Sequence, residues 1–312
     1  MIVSYSKNPF KQIVGIAYWN RWTLLFFTFC AGLAYTLCIY FKVMAFEFPP
    51  VSVAILGSAL AIFLGFRNSS AYDRWWEARK VWGSIVNNSR SLGLELMTYP
   101  IGNNEQDQKE ISKWQERMIK RQIGWLEALK GHLRKDEIDL AQYLSNSDLN
   151  KIKGKANLPA QILVLQGGDI DFAFRQGWIE EFRFNALIAT LKKFYDNQGM
   201  AERIKNTIFP FYYNYFTLFF LWLFTTILPF TLAGLMNHWL MIPLSVLISF
   251  AFFILNKSGV ITETPFDGVA ADTPISTISR SIEIDLLQML DTDEVPSMVE
   301  NTKSKFGVVY QN

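Results

Sequence analysis

From Pro49 to Gly83 the chain reads PPVSVAILGSALAIFLGFRNSSAYDRWWEARKVWG, an uncharged apolar half followed by a half crowded with Arg, Asp, Glu and Trp. No Gly-Pro punctuation separates the two, so the stretch predicts one long helix that leaves a membrane and carries on into water. Two stripes define what such a helix is for. Gly57, Ala61 and Gly65 recur every fourth residue, lining one face with small side chains and letting a neighbouring helix approach closely. Ser58, Ile62 and Phe66 recur at the same spacing on the next face round. A smooth side for packing beside a bulky side suits a ring of helices around an axis, and predicts a pore-lining helix.

Three other apolar runs set the rest of the architecture. Residues 22–41 are uncharged and match the ~20 residues that cross a hydrocarbon core. Residues 51–66, the apolar half of the long helix, are short for a span and follow Pro49-Pro50, where a missing N–H costs little. Residues 208–234 cross with tilt, with a kink expected at Pro229, and residues 238–255 return after a very short turn. Hydrophobic residues make up 50% of the 312, but they are clustered, and that clustering separates this chain from a soluble domain. The formal net charge of +2 points to neither nucleic acid nor an acidic substrate as partner. Cys30 and Cys38 both lie in the first apolar run, where they read as small apolar filler rather than a disulfide or zinc framework.

The chain therefore divides into a basic, interface-lying segment (1–21), spans one and two (22–66), a water-soluble helical domain (67–206) and spans three and four (207–256). A linker and helix (257–290) and a loose tail (291–312) follow. No small-residue cleavage site follows the first span, which is read as permanent. In the soluble domain Ile111, Trp114, Met118, Trp125, Leu129 and Leu133 recur at helical spacing, as do Ile179, Phe182, Leu187, Leu191 and Phe194. Between them lie helical fragments near 140–149 and 159–165 and an expected break at Gly167-Gly168. Thr273-Pro274 reads as a cap and first residue of a helix carrying Ile275, Ile278, Ile282, Leu286 and Leu290. Lys7, Lys11 and Arg21 precede span one, and Arg67, Arg74, Arg79 and Lys80 follow span two. Arg203 and Lys205 precede span three, and Lys257 follows span four. The positive-inside rule then puts both termini and the 67–206 region in the cytoplasm of an inner-membrane protein.

Motifs of catalysis are missing from the sequence. There is no HExxH, no GxSxG and no phosphate-cradling glycine loop, and the spans hold essentially no ionisable residue of the kind membrane enzymes keep. Four short spans without an internal repeat do not make a transporter within one subunit, whereas a ring of identical subunits makes a pathway simply. Trp75, Trp76 and Trp82 read as headgroup anchors, while Asp73, Arg74, Glu77 and Arg79 crowd two turns with both signs and predict fixed contacts to neighbouring helices.

Gly65-Phe66-Arg67-Asn68 and Tyr72-Asp73-Arg74-Trp75-Trp76-Glu77-Ala78-Arg79 resemble the bestrophin family in its bacterial branch. So does Thr264-Pro265-Phe266-Asp267-Gly268 with Asp272-Thr273-Pro274, followed by a helix containing Ser279-Arg280 and Asp285-Leu286-Leu287. The resemblance runs in order along nearly the whole chain. It implies an all-α membrane protein, with four transmembrane helices per subunit and a large cytoplasmic helical domain, assembled as a homopentamer around a central pore. It implies a narrow neck at Ser58, Ile62 and Phe66, with a hydroxyl where an aliphatic residue is usual at Ser58, so that end is wetter. It implies a cytoplasmic constriction near Phe182, following Glu180 and Glu181. Those carboxylates either line the exit and favour cations or lie on a solvated helix face. Family precedent on the permeant ion is divided, since animal members pass chloride and bacterial members can prefer sodium. Animal members also carry an acidic calcium cluster. Here only Asp267 and Asp272 fall in that region, too few for the 6–8 oxygen ligands calcium takes, so no metal and no cofactor are expected. The expected partners are other copies of the chain, the lipid bilayer and monovalent ions. The rival to a channel is a membrane scaffold that binds a partner through its cytoplasmic helices.

Overall fold

The computed structural model describes residues 2–4, 9–42, 48–207, 209–236, 238–269, 271–292, 295–300, 302–303 and 309–310. Lys7, Ile208 and much of the 291–312 tail lie outside them. Ten α-helices carry the fold: α1 (Pro9–Trp19), α2 (Arg21–Tyr35), α3 (Pro50–Thr98), α4 (Glu105–Arg134), α5 (Asn146–Ile152), α6 (Leu158–Arg175), α7 (Glu181–Asn206), α8 (Phe211–Leu235), α9 (Met241–Thr262) and α10 (Ile275–Met289). A π-helical turn, Thr36–Tyr40, extends α2. Among the described residues four helices are long and apolar enough to cross a membrane: Arg21–Tyr40, Pro50–Thr98, Phe211–Leu235 and Met241–Thr262.

α3 is the spine. Its first residue is Pro50, and it ends at Thr98, with Tyr99 still helical as the cap and Pro100 lacking the N–H that would continue the ladder. Over 49 residues it is about 74 Å long, more than twice the ~30 Å of a hydrocarbon core, so it projects well beyond any bilayer. Its buried residues (Val53, Gly57, Leu60, Leu64, Arg67, Ala71, Ala78) and those of its second half recur at helical spacing and keep one stripe against the rest of the chain. Two cores share that stripe. In the apolar bundle Val53, Leu60 and Leu64 meet Leu221, Phe224 and Leu228 of α8. In the helical domain Trp82, Ile85, Leu92 and Leu96 meet Trp114, Met118, Trp125, Leu129 and Phe194, with Trp125 edge-on to Phe194 at 5.0 Å between centroids.

Local chemistry sets the domain's helix ends. Asn104 and Asn157 cap α4 and α6 by accepting from the backbone N–H groups of Asp107 and Ala160, at 2.8 and 3.1 Å. Lys135 closes α4 in the left-handed conformation, φ 61°. Helix α1 leaves Phe10, Ile13, Ile16 and Trp19 exposed on the outside, as an interface-lying segment needs.

Five expectations change. Gly167-Gly168 does not break the chain: α6 runs through both, because Ile162, Gln166, Ile170 and Ala173 continue its buried stripe. Trp82 is fully buried in the domain core, so headgroup anchoring is left to Trp75 and Trp76, which stack on each other. The fourth span does not stop at Leu255. α9 continues to Thr262 because Asn256 and Gly259 are buried against α3 and Lys257 bonds to Asn20 at 2.5 Å. Thr273 does not cap α10: Pro274 takes the cap position, and the Thr273 hydroxyl is buried without a hydrogen-bond partner. The tail is not wholly loose. β1 (Ile2–Ser4), β2 (Thr302–Lys303) and β3 (Val309–Tyr310) form an antiparallel sheet in the order β1-β3-β2, with Ile2 and Thr302 both opposite Tyr310. Strands this short carry too few alternations to be read from sequence.

Candidate functional site

The side of α3 that its own chain does not cover carries the predicted neck. Ile62 is 60% exposed and Phe66 67%, large apolar surfaces on a helix whose opposite side is buried along its whole length. Ser58 is exposed beside them, its hydroxyl donating to the Ala54 carbonyl of its own helix at 2.9 Å. That bond satisfies the donor locally and leaves the oxygen's lone pairs outward. The small-residue stripe does not stay on one face, since a step of four residues advances about 40° on an α-helix. Gly57 is turned inward under Phe224 of α8, and a Cβ there would meet the ring at 2.9 Å. Ala61 and Gly65 are exposed, with nothing of the same chain within 4 Å of a Cβ built on Gly65. Gly57 thus packs a helix of its own chain, and Ala61 and Gly65 are left open.

Directly after Phe66 a polar hub built on Arg67 and Asn68 fixes where α3 leaves the apolar bundle. Arg67 is buried, and its guanidinium donates to the Asn256 side-chain oxygen at 2.7 Å and to the Glu263 carboxylate at 2.9 Å, both at the end of α9. The Phe209 ring lies 5.9 Å from the guanidinium carbon. Asn68 donates to the Leu255 carbonyl at 3.1 Å, and its side-chain oxygen lies so close to Gly259 that no larger residue fits there without movement. Further along, Arg74 donates to the Ile204 carbonyl, Trp75 to the Ala271 carbonyl at 2.9 Å, and Arg203 to Glu77. Two of the four mixed charges, Arg74 and Glu77, therefore make fixed contacts, both to α7, and Trp75 reaches the segment after α9. The hub partners Asn256 and Gly259 were missed. Their only sequence signal is an Asn and a Gly closing an otherwise apolar run.

The predicted constriction lies on α7, at its start, beside the far end of α3. Glu180 occupies the cap position of α7 without a side-chain cap bond, Glu181 follows as its first residue, and both are exposed. Phe182 is 86% exposed. Arg183 ties this turn to the end of α3 by donating to the Tyr99 carbonyl at 2.6 Å, and Ile101 N–H donates to the Trp178 carbonyl at 2.8 Å. Phe66 and Tyr99 are roughly 33 residues apart on the helix, about 50 Å at 1.5 Å each. Phe182 and the acidic pair thus lie beside the end of α3, far along it from Phe66.

The two aspartates of the segment after α9 are engaged separately. Asp267 pairs with Lys205 at 2.5 Å; burial works against its charge, but the bonds from Lys205 and Thr264 hold its carboxyl below the usual range. Asp272 accepts from the Gly268 N–H, with Gly268 at φ 80°, and burial pushes its carboxyl up to about 6. Among the described residues no three His, Cys, Asp or Glu side chains come together as a metal cluster.

Comparison with known proteins follows this geometry closely. The family model described as "Bacterial/Fungal Bestrophin protein" matches residues 19–288. Among curated proteins, the voltage-dependent anion channel-forming protein YneE of Escherichia coli (strain K12) is 34% identical over 280 residues, 88% of each chain. Its namesake in Salmonella typhi is 33% identical over 261 residues, 83% of this chain and 82% of its own. The crystal structure of a bacterial bestrophin homolog from Klebsiella pneumoniae superposes with a TM-score of 0.80 at 28% identity, over 86% of this chain and 97% of that one.

Proposed function

This chain belongs to the bacterial/fungal bestrophin family, and on that premise we propose that it is an ion channel, a homopentamer whose single central pore passes small monovalent ions. The relatives it matches are named as channels, and nothing in the family points to an enzyme. One observation carries the reading: Ile62 and Phe66 stand uncovered on a helix whose other side is fully used by its own chain. Lipid covers such side chains as well as protein does, so what favours a ring is the open Ala61 and Gly65 beside them, which let the same helix of another copy approach closely and bring five sets of Ile62 and Phe66 together around a narrow path. Rings of Ile62 and Phe66 then form the neck, with Ser58 as its wetter end, and they gate by dewetting without choosing the sign of the ion. Ala61 and Gly65, open beside them, pack the next subunit. Both termini and the helical domain face the cytoplasm of the inner membrane, in keeping with the basic residues that flank every span on that side.

Selectivity then lies at the start of α7, beside the far end of α3. Five copies of Glu180 and Glu181 beside a ring of Phe182 give a carboxylate-lined exit, which favours cations. The second reading is anion passage, and the printed name of the relatives favours it. A reversal potential across a planar bilayer with a salt gradient separates the two: a shift toward the cation equilibrium potential supports the carboxylate exit, and a shift toward the anion potential removes it. Native mass decides between a channel and a scaffold, since a monomer or dimer has no shared pore.

A further inference from the structure

Where α7 ends at Asn206, α8 begins at Phe211 and α9 ends at Thr262, the chain encloses a cavity of about 330 Å³. Arg74, Lys205, Thr207, Phe209, Phe211 and Asn214 are among its walls, with Glu263 and Asp267. Its level is fixed by α8 and α9, whose apolar runs begin and end at it. It therefore opens at the surface of the bilayer that those helices cross, with aromatic rings at its rim where headgroups meet hydrocarbon.

Its charges are unequally partnered. Glu263 is paired with Arg67 at 2.9 Å, Asp267 with Lys205 at 2.5 Å, and Glu77 with Arg203, and all three carboxylates also act on Arg74 from a distance, Glu263 first. Arg74 is the cation of the cavity without an ion pair of its own. It has no carboxylate within 4 Å among the described residues, it spends one N–H on the Ile204 carbonyl, and its Nε is buried with no hydrogen-bond partner. A guanidinium presents its donors in a planar fork that fits the oxygens of a phosphate, and the N–H groups of Arg74 that face the cavity are the ones free to do so. The Thr207 and Asn214 side chains add neutral polar groups around it.

We propose that this cavity binds the phosphate of an anionic phospholipid headgroup, with Arg74 as its principal ligand. The acyl chains run along the aromatic start of α8, where Phe211, Tyr212 and Tyr215 are exposed. The site rests on the membrane fold and not on which ion the protein passes. A bound headgroup bridges α3, α7 and α8 at the junction where the long helix leaves the bundle, so lipid composition reaches the helix that carries Ile62 and Phe66.

The test is retention of lipid by the whole protein. Wild type, Arg74→Gln, Arg74→Lys and Asn214→Asp are reconstituted in phosphatidylcholine vesicles doped with phosphatidylglycerol, solubilised, and the co-purified lipid is extracted and quantified. Wild type is expected to enrich phosphatidylglycerol over phosphatidylcholine, Arg74→Gln to lose about tenfold of that enrichment, and Arg74→Lys to lose less. Should Arg74→Gln fail to fold, Asn214→Asp carries the test, because it adds a repelling carboxylate at the wall without changing side-chain volume. Equal retention of both lipids by wild type overturns the proposal, and so does unchanged enrichment in Asn214→Asp. Displacement of the lipid by millimolar inorganic phosphate alone reassigns the cavity to free phosphate and overturns the lipid assignment.

Discussion

Arg67→Met tests the hub that holds the long helix in place. Methionine keeps much of the aliphatic length but removes the charge and both hydrogen bonds. The change leaves the Glu263 carboxylate, 12% exposed, without its cation and the Asn256 side-chain oxygen without its donor. Breaking a buried ion pair by deleting one partner costs about 3–5 kcal/mol, and a stranded neutral acceptor adds about 1–3 kcal/mol. Part of the second cost is shared with the first, because Asn256 and Glu263 sit on one guanidinium and reorganise together. We expect a loss of about 4–6 kcal/mol, read as a fall of roughly 10–20 °C in the thermal midpoint of the detergent-solubilised protein at pH 7.5. The further substitution Glu263→Leu in the same chain is expected to recover part of the loss by removing the stranded charge, whereas Glu263→Leu alone is destabilising. If Arg67→Met melts within about 2 °C of wild type, or if the double variant is no better than the single one, the hub is not what fixes α3 to α9.

Other perturbations address single links of the argument. Asp272→Asn should change how stability depends on pH. Burial raises this carboxyl from its ordinary value to about 6, so its favourable contribution is present below pH ~4 and is lost as pH rises through 6. The asparagine variant cannot ionise and should be more stable than wild type by up to about 2–3 kcal/mol above pH 7, with the gap closing toward pH 4; a gap that does not vary with pH refutes this. Gly57→Ala forces the Phe224 ring aside and should cost about 1–3 kcal/mol in the subunit, as overpacking does. Gly65→Leu meets nothing in its own chain, so its effect should appear in native mass as a weakened assembly; a fully intact assembly would show that this face does not pack a neighbour.

The sequence made the membrane plan and the long helix legible because both are written in uninterrupted stretches. Uncharged runs near twenty residues define crossings, and the buried residues of α3 keep helical spacing through the change from apolar to charged. The stripe of Ser58, Ile62 and Phe66 was visible for the same reason, since it needs only a count of four. What stayed hidden depends on chain separation. Arg67 reads as a basic flank until Asn256, 189 positions on, is seen to accept its hydrogen bond. Trp82 looks like its neighbours Trp75 and Trp76 until the domain closes over it. Gly167-Gly168 reads as a break, but the cost of two helical glycines is about 1 kcal/mol each, less than the packing of the residues around them supplies. The drift of an i, i+4 stripe explains Gly57. Spacing placed it with Ala61 and Gly65, and the helix turned it inward.

Conductance of the Ile62→Ala/Phe66→Ala variant beside wild type, in planar bilayers under the same salt gradient, bears most directly on the claim that these side chains form the neck. Shortening both rings widens and wets the barrier, so the account predicts a clear rise in conductance for an assembly of unchanged mass. Conductance equal to that of wild type would contradict it and would place the barrier elsewhere along the pore.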